Sequence, residues 1–187
     1  SVTVNGVALP PALLTPAETI GQTAPKPFRP AAVDAITRPG TRITAVNATV
    51  AAWHGPEEAV NLMADLLNVI AERSDILVQA RSVADIEAAK ATGRVGVIAG
   101  FQGAEPIGAN PNMLRLYHAL GVRIIQLTYN FRNLVGCGCQ EPEDTGLSPY
   151  GRTVVAEMNR LGILIDLSHC GIRTTREAID ASAGPVA

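Results

Sequence analysis

RVGVIAGFQGAEPIGANPNMLRLYHALGVRIIQLT, residues 94–128, contains two apolar runs joined by a segment with helical spacing. The runs predict strands over Arg94–Gly100 and Val122–Thr128, and the intervening segment predicts a helix near Asn112–Leu120. Uninterrupted apolar runs of this length are typical of strands that are covered on both faces, as in parallel sheets. A strand, a helix and a second strand in this order therefore predict an α/β fold with a parallel sheet.

The same alternation of strand and helix patterns continues on both sides of this segment, from residue 41 to residue 187. Further strands are predicted over Ile43–Val50, Ile76–Gln79 and Ile163–Leu167, with Pro185–Ala187 as the first residues of another. Further helices are predicted over Pro56–Arg73, from a near capping box at Ser82 to Thr92, from Ser148 to Leu161 and over Thr174–Ala181. About five β/α units fit a doubly wound sheet or part of a (β/α)8 barrel, which needs about 250 residues when complete. We therefore expect this sequence to be part of a larger fold.

The first 30 residues differ in composition from the rest of the chain. Residues 1–9, SVTVNGVAL, place an Asn-Gly pair between two short β-prone runs, which predicts a β-hairpin. Residues 10–30 hold six of the 13 prolines and are expected to form an extended arm. The predicted organisation is an N-terminal hairpin and proline-rich arm over 1–30, followed by a portion of a barrel over 31–187.

Composition and charge exclude several classes of protein. With 187 residues and 47% hydrophobic content the chain can bury a core, which excludes intrinsic disorder. A net charge of −2 without a basic stripe argues against a nucleic-acid partner, and no apolar run reaches the roughly 20 residues of a membrane span. Three cysteines are an odd and low number, which predicts reduced thiols in a cytoplasmic protein rather than a disulfide framework.

Polar side chains follow three of the predicted strands at the point where each strand ends. Gln102 and Glu105 follow the first, Tyr129 and Asn130 the second, and His169 the third. Because the carboxyl ends of parallel strands meet at one edge, these residues are expected at a common site. An imidazole in this position can bind a metal or act as a general base. A histidine that caps the following helix is the alternative interpretation of His169.

The other ionisable residues have more ordinary interpretations. Glu105 fits an acid at a helix N-terminus, and Asp166 fits a structural carboxylate or one that orients a ligand. His54 and His118 are expected to be structural or to pack in the core, so a site built from several histidines is hard to assemble. Nucleotide-binding glycine motifs and the G-x-S-x-G motif of serine hydrolases are absent from the sequence.

Three segments carry a resemblance to a known family: LGVRIIQLTYN (120–130), TGLSPYG (145–151) and EMNRLGILIDLSH (157–169). Over roughly residues 34–187 the chain resembles the membrane (renal) dipeptidase family, peptidase family M19. The combination of Gly-Phe-Gln at 100–102 with the segment ending in Asn130 is similar to a proteobacterial branch of that family. The resemblance implies a (β/α)8 TIM-type barrel of the amidohydrolase kind, in which a hydroxide bridging two zinc ions attacks a dipeptide.

The resemblance assigns roles to four residues, and at two of them the chain departs from the typical pattern. His169 matches a zinc ligand, and Asn130 matches the asparagine of the Leu-Thr-His-Asn motif. Tyr129 falls where a histidine contacts the substrate, and Gln102 falls where a glutamate bridges the two zincs. The His-x-Asp pair of the first strand has no counterpart in residues 1–40, and the remaining family site residues are expected beyond residue 187. An amide at 102 lacks the charge that offsets two zinc ions, so we expect one zinc at most, or none.

Three hypotheses about function follow. The first is a dipeptidase-like metallohydrolase that cleaves a dipeptide or similar small amide by metal-activated water, and it predicts bound zinc and loss of activity in His169→Ala. The alternative is a non-catalytic or repurposed barrel that binds a small molecule without a two-zinc centre. The third is a thiol-based site that uses Cys137, Cys139 and Cys170. If the chain ends at residue 187, the open edge of a partial barrel predicts aggregation or obligate association with another chain, such as a homo-oligomer.

Overall fold

The computed structural model describes residues 3–4, 7–8, 30–37, 40 and 42–187. Strands β1 (Thr3–Val4) and β2 (Val7–Ala8) pair in antiparallel fashion, and the predicted turn at residues 5–6 lies outside the described residues. Residues 10–29 of the expected proline-rich arm lie outside the described residues.

Helices and strands alternate over the rest of the described chain. The strands are β3 (Ala45–Ala51), β4 (Leu77–Gln79), β5 (Val95–Phe101), β6 (Val122–Gln126) and β7 (Leu164–Asp166). The helices are α1 (Pro30–Ile36), α2 (Pro56–Glu72), α3 (Val83–Ala91), α4 (Met113–Leu120), α5 (Pro149–Leu161) and α6 (Ile172–Ala181). A short 3-10 helix, Glu105–Ile107, follows β5.

Strands β3 to β7 form one parallel sheet in the order β3-β5-β6-β7. Strand β4 pairs only with Val95–Val97 in the first part of β5, whereas β6 pairs with Ala99–Phe101 in its second part. The carboxyl edge of the sheet is therefore formed by β3, β5, β6 and β7. Val186 forms an isolated parallel bridge with Ile165, which agrees with the extended conformation predicted for Pro185–Ala187.

The core lies between this sheet and the helices that cover it. Strand β5 is buried along nearly its whole length, which confirms the interpretation of its uninterrupted apolar run. The largest fully buried apolar side chains come from both layers: Met63, Leu66, Leu77, Leu114, Ile125 and Met158. None of the helices in the described part of the chain has both the length and the apolarity needed to cross a membrane.

Several strand and helix boundaries differ from the sequence prediction, and one helix is additional. Strand β6 ends at Gln126 rather than Thr128, where the buried Gln126 amide donates a hydrogen bond to the Thr128 carbonyl oxygen (2.6 Å). Helix α6 begins at Ile172 rather than Thr174, since the Asp144 carboxylate accepts from the Arg173 N–H (2.6 Å). Helix α1 is not predicted by the sequence pattern, and it starts at the last proline of the expected arm.

Candidate active site

Four strands deliver the candidate residues to the same edge of the sheet. Trp53 follows β3, Gln102 follows β5, Tyr129 and Asn130 follow β6, and His169 follows β7. The Gln102 N–H donates to the Ala51 carbonyl oxygen (2.8 Å), so the loops after β3 and β5 are adjacent. The predicted convergence of strand ends is therefore observed.

Tyr129, Asn130 and His169 are in direct contact. The Nδ1 atom of His169 lies 2.8 Å from Oδ1 of Asn130. The rings of Tyr129 and His169 stack with their centroids 4.5 Å apart and an interplanar angle of 30°. The imidazole is thus oriented by an amide oxygen on its edge and by a phenol ring on one face.

Two residues of this cluster adopt a left-handed backbone conformation. Asn130 has φ +67° and His169 has φ +61°, and they are the non-glycine residues with positive φ within the described ranges. This conformation is tolerated by asparagine but costs a histidine on the order of 1 kcal/mol or more. Neighbouring contacts must therefore hold the loop in place around His169.

Trp53 belongs to the site, although the sequence pattern does not single it out. Its indole N–H donates to the Tyr129 carbonyl oxygen (3.3 Å), and its ring meets the Tyr129 ring edge-on with centroids 4.9 Å apart. The side chain is 39% exposed, which is unusual for a large aromatic residue. Its position directly after β3 is the feature of the sequence that could identify it, because the other site residues also directly follow strands of the sheet.

The side chain of Gln102 makes no hydrogen bond to the other described site residues. It is half-buried, and its backbone alone is fixed, through Ala51. The structure therefore places Gln102 at the site edge without a hydrogen bond from its amide to Tyr129, Asn130 or His169.

The remaining two histidines have structural environments, in line with their interpretation from sequence. His54 is buried, and its Nδ1 accepts from the Ala52 N–H (3.1 Å). His118 lies near the end of α4, at the opposite end of β6 from the site. Burial, together with the guanidinium groups of Arg123 and Arg160, lowers the pKa of His118.

Glu105 begins the short 3-10 helix after β5, but its carboxylate faces the loop after β6. Oε1 accepts a hydrogen bond from the Asn133 side-chain amide (3.2 Å), and the same amide donates to the Leu127 carbonyl oxygen (2.8 Å). Oε2 is buried without a hydrogen-bond partner, and burial raises the pKa of Glu105. Glu105 is thus a half-buried acid at the start of the 3-10 helix, and its carboxylate also contacts the loop after β6.

Replacing Glu105 by glutamine is expected to remove part of the pH dependence of stability. Because the folded-state pKa of Glu105 is raised, its contribution is fully present below the unfolded pKa of about 4.3 and is lost as pH rises through the folded value. Relative to wild type, Glu105→Gln should gain free energy of unfolding between pH 4 and pH 7, measured by urea denaturation. The exposed Glu87→Gln serves as the matched control, and identical pH profiles for wild type and Glu105→Gln would contradict this prediction.

Asp166 and the cysteines do not extend the chemistry of the site. The Asp166 carboxylate accepts from the Ser168 N–H (2.8 Å), a local structural contact. Burial raises the pKa of the Cys170 thiol, and this is opposite to the activation that a nucleophilic thiol needs. Cys137 is also buried, while Cys139 is exposed, so the thiol hypothesis gains no support from Cys170.

The described residues do not fit a two-zinc centre. No group of three or more His, Cys, Asp or Glu side chains in the described ranges is arranged to hold a metal ion. The cluster with Tyr129 and Asn130 supplies one imidazole, from His169, and Gln102 supplies a neutral amide where the family pattern has a bridging carboxylate.

Comparisons with known proteins show to which family the chain is related. A family model described as membrane dipeptidase (peptidase family M19) matches residues 43–187. The chain is 40% identical over 116 residues to dipeptidase aclJ of Aspergillus oryzae, an alignment that covers 60% of this chain and 28% of that protein. It is 36% identical over 125 residues to dipeptidase tcpJ of Claviceps purpurea, covering 65% and 29%.

Solved structures show the same relationship. An amidohydrolase from Pseudomonas aeruginosa has a TM-score of 0.75 and 45% identity, covering 76% of this chain and 44% of that one. A metallo peptidase from Rhodobacter sphaeroides, liganded with a phosphinate mimic of the dipeptide L-Ala-D-Ala, has a TM-score of 0.65 and 30% identity, covering 70% and 39%. The chain therefore spans under a third of these curated relatives and under half of these solved chains. The fold is part of a (β/α)8 barrel of the amidohydrolase kind, and the chain belongs to the membrane dipeptidase family, peptidase family M19.

Proposed function

We propose that the protein is a dipeptidase-like metallohydrolase that cleaves a dipeptide or a similar small amide. The observation that carries this proposal is the contact between Tyr129, Asn130 and His169 at the carboxyl ends of neighbouring parallel strands. In barrels of this kind the substrate site lies at that edge of the sheet. The dipeptidases and the metallo peptidase among the relatives support the reaction class.

We propose at most one zinc ion, with His169 as a ligand. Metal dependence is typical of the family, but the cluster of Tyr129, Asn130 and His169 offers one imidazole, and the described residues do not fit a two-zinc site.

We propose that Tyr129, Asn130 and Gln102 contact the substrate. The Tyr129 ring is half-buried between Trp53 and His169, so it can form one wall for a small ligand. The Gln102 side chain has a donor and an acceptor, which matches the N–H and C=O of an amide substrate. Trp53 would complete the aromatic side of this wall.

The finer family assignment and the cellular setting are proposals as well. The Gly-Phe-Gln segment at 100–102 and the 45% identity to the Pseudomonas aeruginosa amidohydrolase support the proteobacterial branch. Three free cysteines support a cytoplasmic location, and a net charge of −2 supports a small-molecule rather than a nucleic-acid partner.

The full-length protein should release free amino acids from L-Ala-L-Ala or L-Ala-D-Ala in the presence of zinc. Amino-acid release and metal content are measured on the same preparation, with chelator-treated protein as the control. The second candidate, a barrel that binds small molecules without catalysis, is favoured by the neutral Gln102 and the single imidazole. Saturable dipeptide binding without product release would favour that candidate and contradict the proposed hydrolase.

A further inference from the structure

Residues 137–140, here called the C-G-C strap, connect the loop after β6 to the loop after β7. The Cys139 N–H donates to the His169 carbonyl oxygen (2.8 Å), and the Gln140 N–H donates to the Asn130 carbonyl oxygen (2.9 Å). On the other side, the Gly171 N–H donates to the Cys137 carbonyl oxygen (2.9 Å). The strap therefore binds the backbones of both left-handed site residues at once.

Gly138 allows this close approach. A Cβ atom at position 138 would overlap the carbonyl carbon and oxygen of Asn130 and the nitrogen of Phe131. These are backbone atoms, so no side-chain rotation could relieve the overlap. A side chain at 138 would therefore displace Asn130 from its present position.

The hydrogen bond between Asn130 and His169 determines which ring nitrogen of His169 carries the proton. Oδ1 of Asn130 is an acceptor only, so Nδ1 of His169 at 2.8 Å must be the donor. The Cys139 thiol also points at Oδ1, at 3.7 Å, which agrees with its role as acceptor. In the neutral imidazole the lone pair is then on Nε2.

We propose that Asn130 and the C-G-C strap are positioning elements that hold His169 as the Nδ1–H tautomer, with Nε2 available to the site. This inference rests on the proposed function only in assuming that His169 takes part in the reaction. The tautomer itself is a property of the protein without substrate. One side-chain hydrogen bond joins the two left-handed residues, and two hydrogen bonds from the strap hold their backbones. The ends of β6 and β7 alone would not fix the orientation of the His169 ring.

The test is nitrogen NMR of the imidazoles in the full-length protein labelled with 15N-histidine, with the His169 signals assigned by their loss in His169→Asn. Wild type should show His169 with a protonated Nδ1 and an unprotonated Nε2. Asn130→Gly keeps the left-handed backbone accessible but removes the acceptor, so this signature should be lost. Asn130→Asp keeps both backbone tolerance and acceptor, and it should retain the Nδ1–H signature. Retention of the wild-type signature in Asn130→Gly would overturn the proposal.

Gly138→Ala tests the strap separately. It should lose the Nδ1–H signature, whereas Gly55→Ala, at a glycine with open space and ordinary φ near the same edge, should retain it. If Gly138→Ala does not fold, Asn130→Gly still decides the question. In a hydrolysis assay, Asn130→Gly should lower kcat by about 10–100-fold with a smaller change in KM. A fixed tautomer in a protein without hydrolase activity would refute the proposed function and leave the positioning inference standing.

Discussion

Replacing His169 by asparagine is expected to lower kcat/KM for dipeptide hydrolysis by at least about 100-fold, the usual contribution of a side chain that acts in proton transfer or ligand binding. Asparagine is chosen because it tolerates the left-handed backbone at this position, where φ is +61°. The side chain is exposed, so the free energy of unfolding should change by less than about 1 kcal/mol. A large loss of activity would therefore come from the site and not from unfolding.

His118→Asn is the matched control for this variant. His118 lies on helix α4, away from the carboxyl edge of the sheet, and its replacement should leave kcat/KM within a factor of about two, as is usual for changes outside the site. Both variants are assayed as full-length protein at the same zinc concentration. Activity of His169→Asn within a few-fold of wild type would mean that His169 has no role in catalysis or metal binding.

Replacing Tyr117 by alanine is expected to cost about 3–5 kcal/mol of unfolding free energy. Tyr117 is fully buried, and its ring packs edge-on against Phe101 with centroids 4.7 Å apart. Its hydroxyl lies 3.0 Å from the Pro106 carbonyl oxygen and 3.2 Å from that of Pro56. Burial raises the pKa of Tyr117 to about 12, so the hydroxyl remains a donor at neutral pH.

Tyr117→Phe separates packing from hydrogen bonding at this position. It keeps the ring and should lose only about 0.5–1.5 kcal/mol, the net contribution of a typical hydrogen bond. Pro56 and Pro106 follow β3 and β5, so Tyr117→Phe should also loosen the loops that carry Trp53 and Gln102. Urea denaturation measures the loss of unfolding free energy in Tyr117→Ala and in Tyr117→Phe. Equal losses in the two variants would contradict the conclusion that ring packing provides most of the stabilisation by Tyr117.

The strand and helix order is predictable because local sequence determines it. Apolar runs such as Val95–Phe101 become buried strands, and Ser82 forms the predicted cap, accepting from the Asp85 N–H (3.3 Å). The start of α6 is not predictable in this way, since Asp144, nearly 30 residues before Arg173, provides its capping contact. Local patterns fail where the deciding hydrogen bond joins distant segments.

The same distinction applies to the site. Tyr129, Asn130 and His169 could be placed together because parallel strands share a carboxyl edge, and the structure brings them into contact. The strap at 137–140 could not be placed there, because its contacts to Asn130 and His169 arise from loop conformations. Trp53 also follows a strand, β3, but its hydrogen bond to Tyr129 was not predictable from local sequence. Local patterns also do not predict that Gln102 occupies the same edge without a hydrogen bond to these three residues.

The central claim is that the substrate binds at the carboxyl edge formed by β3, β5, β6 and β7. The most direct measurement is a titration of the full-length protein with a phosphinate analogue of a dipeptide, recorded by Trp53 fluorescence, with Trp53→Phe as the blank. Trp53 contacts Tyr129, which stacks on His169. We therefore predict a saturable change in Trp53 fluorescence on phosphinate binding, and reversal of this change when a dipeptide displaces the phosphinate. Calorimetric binding of the phosphinate with no change in the Trp53 signal, or no binding at all, would contradict the account.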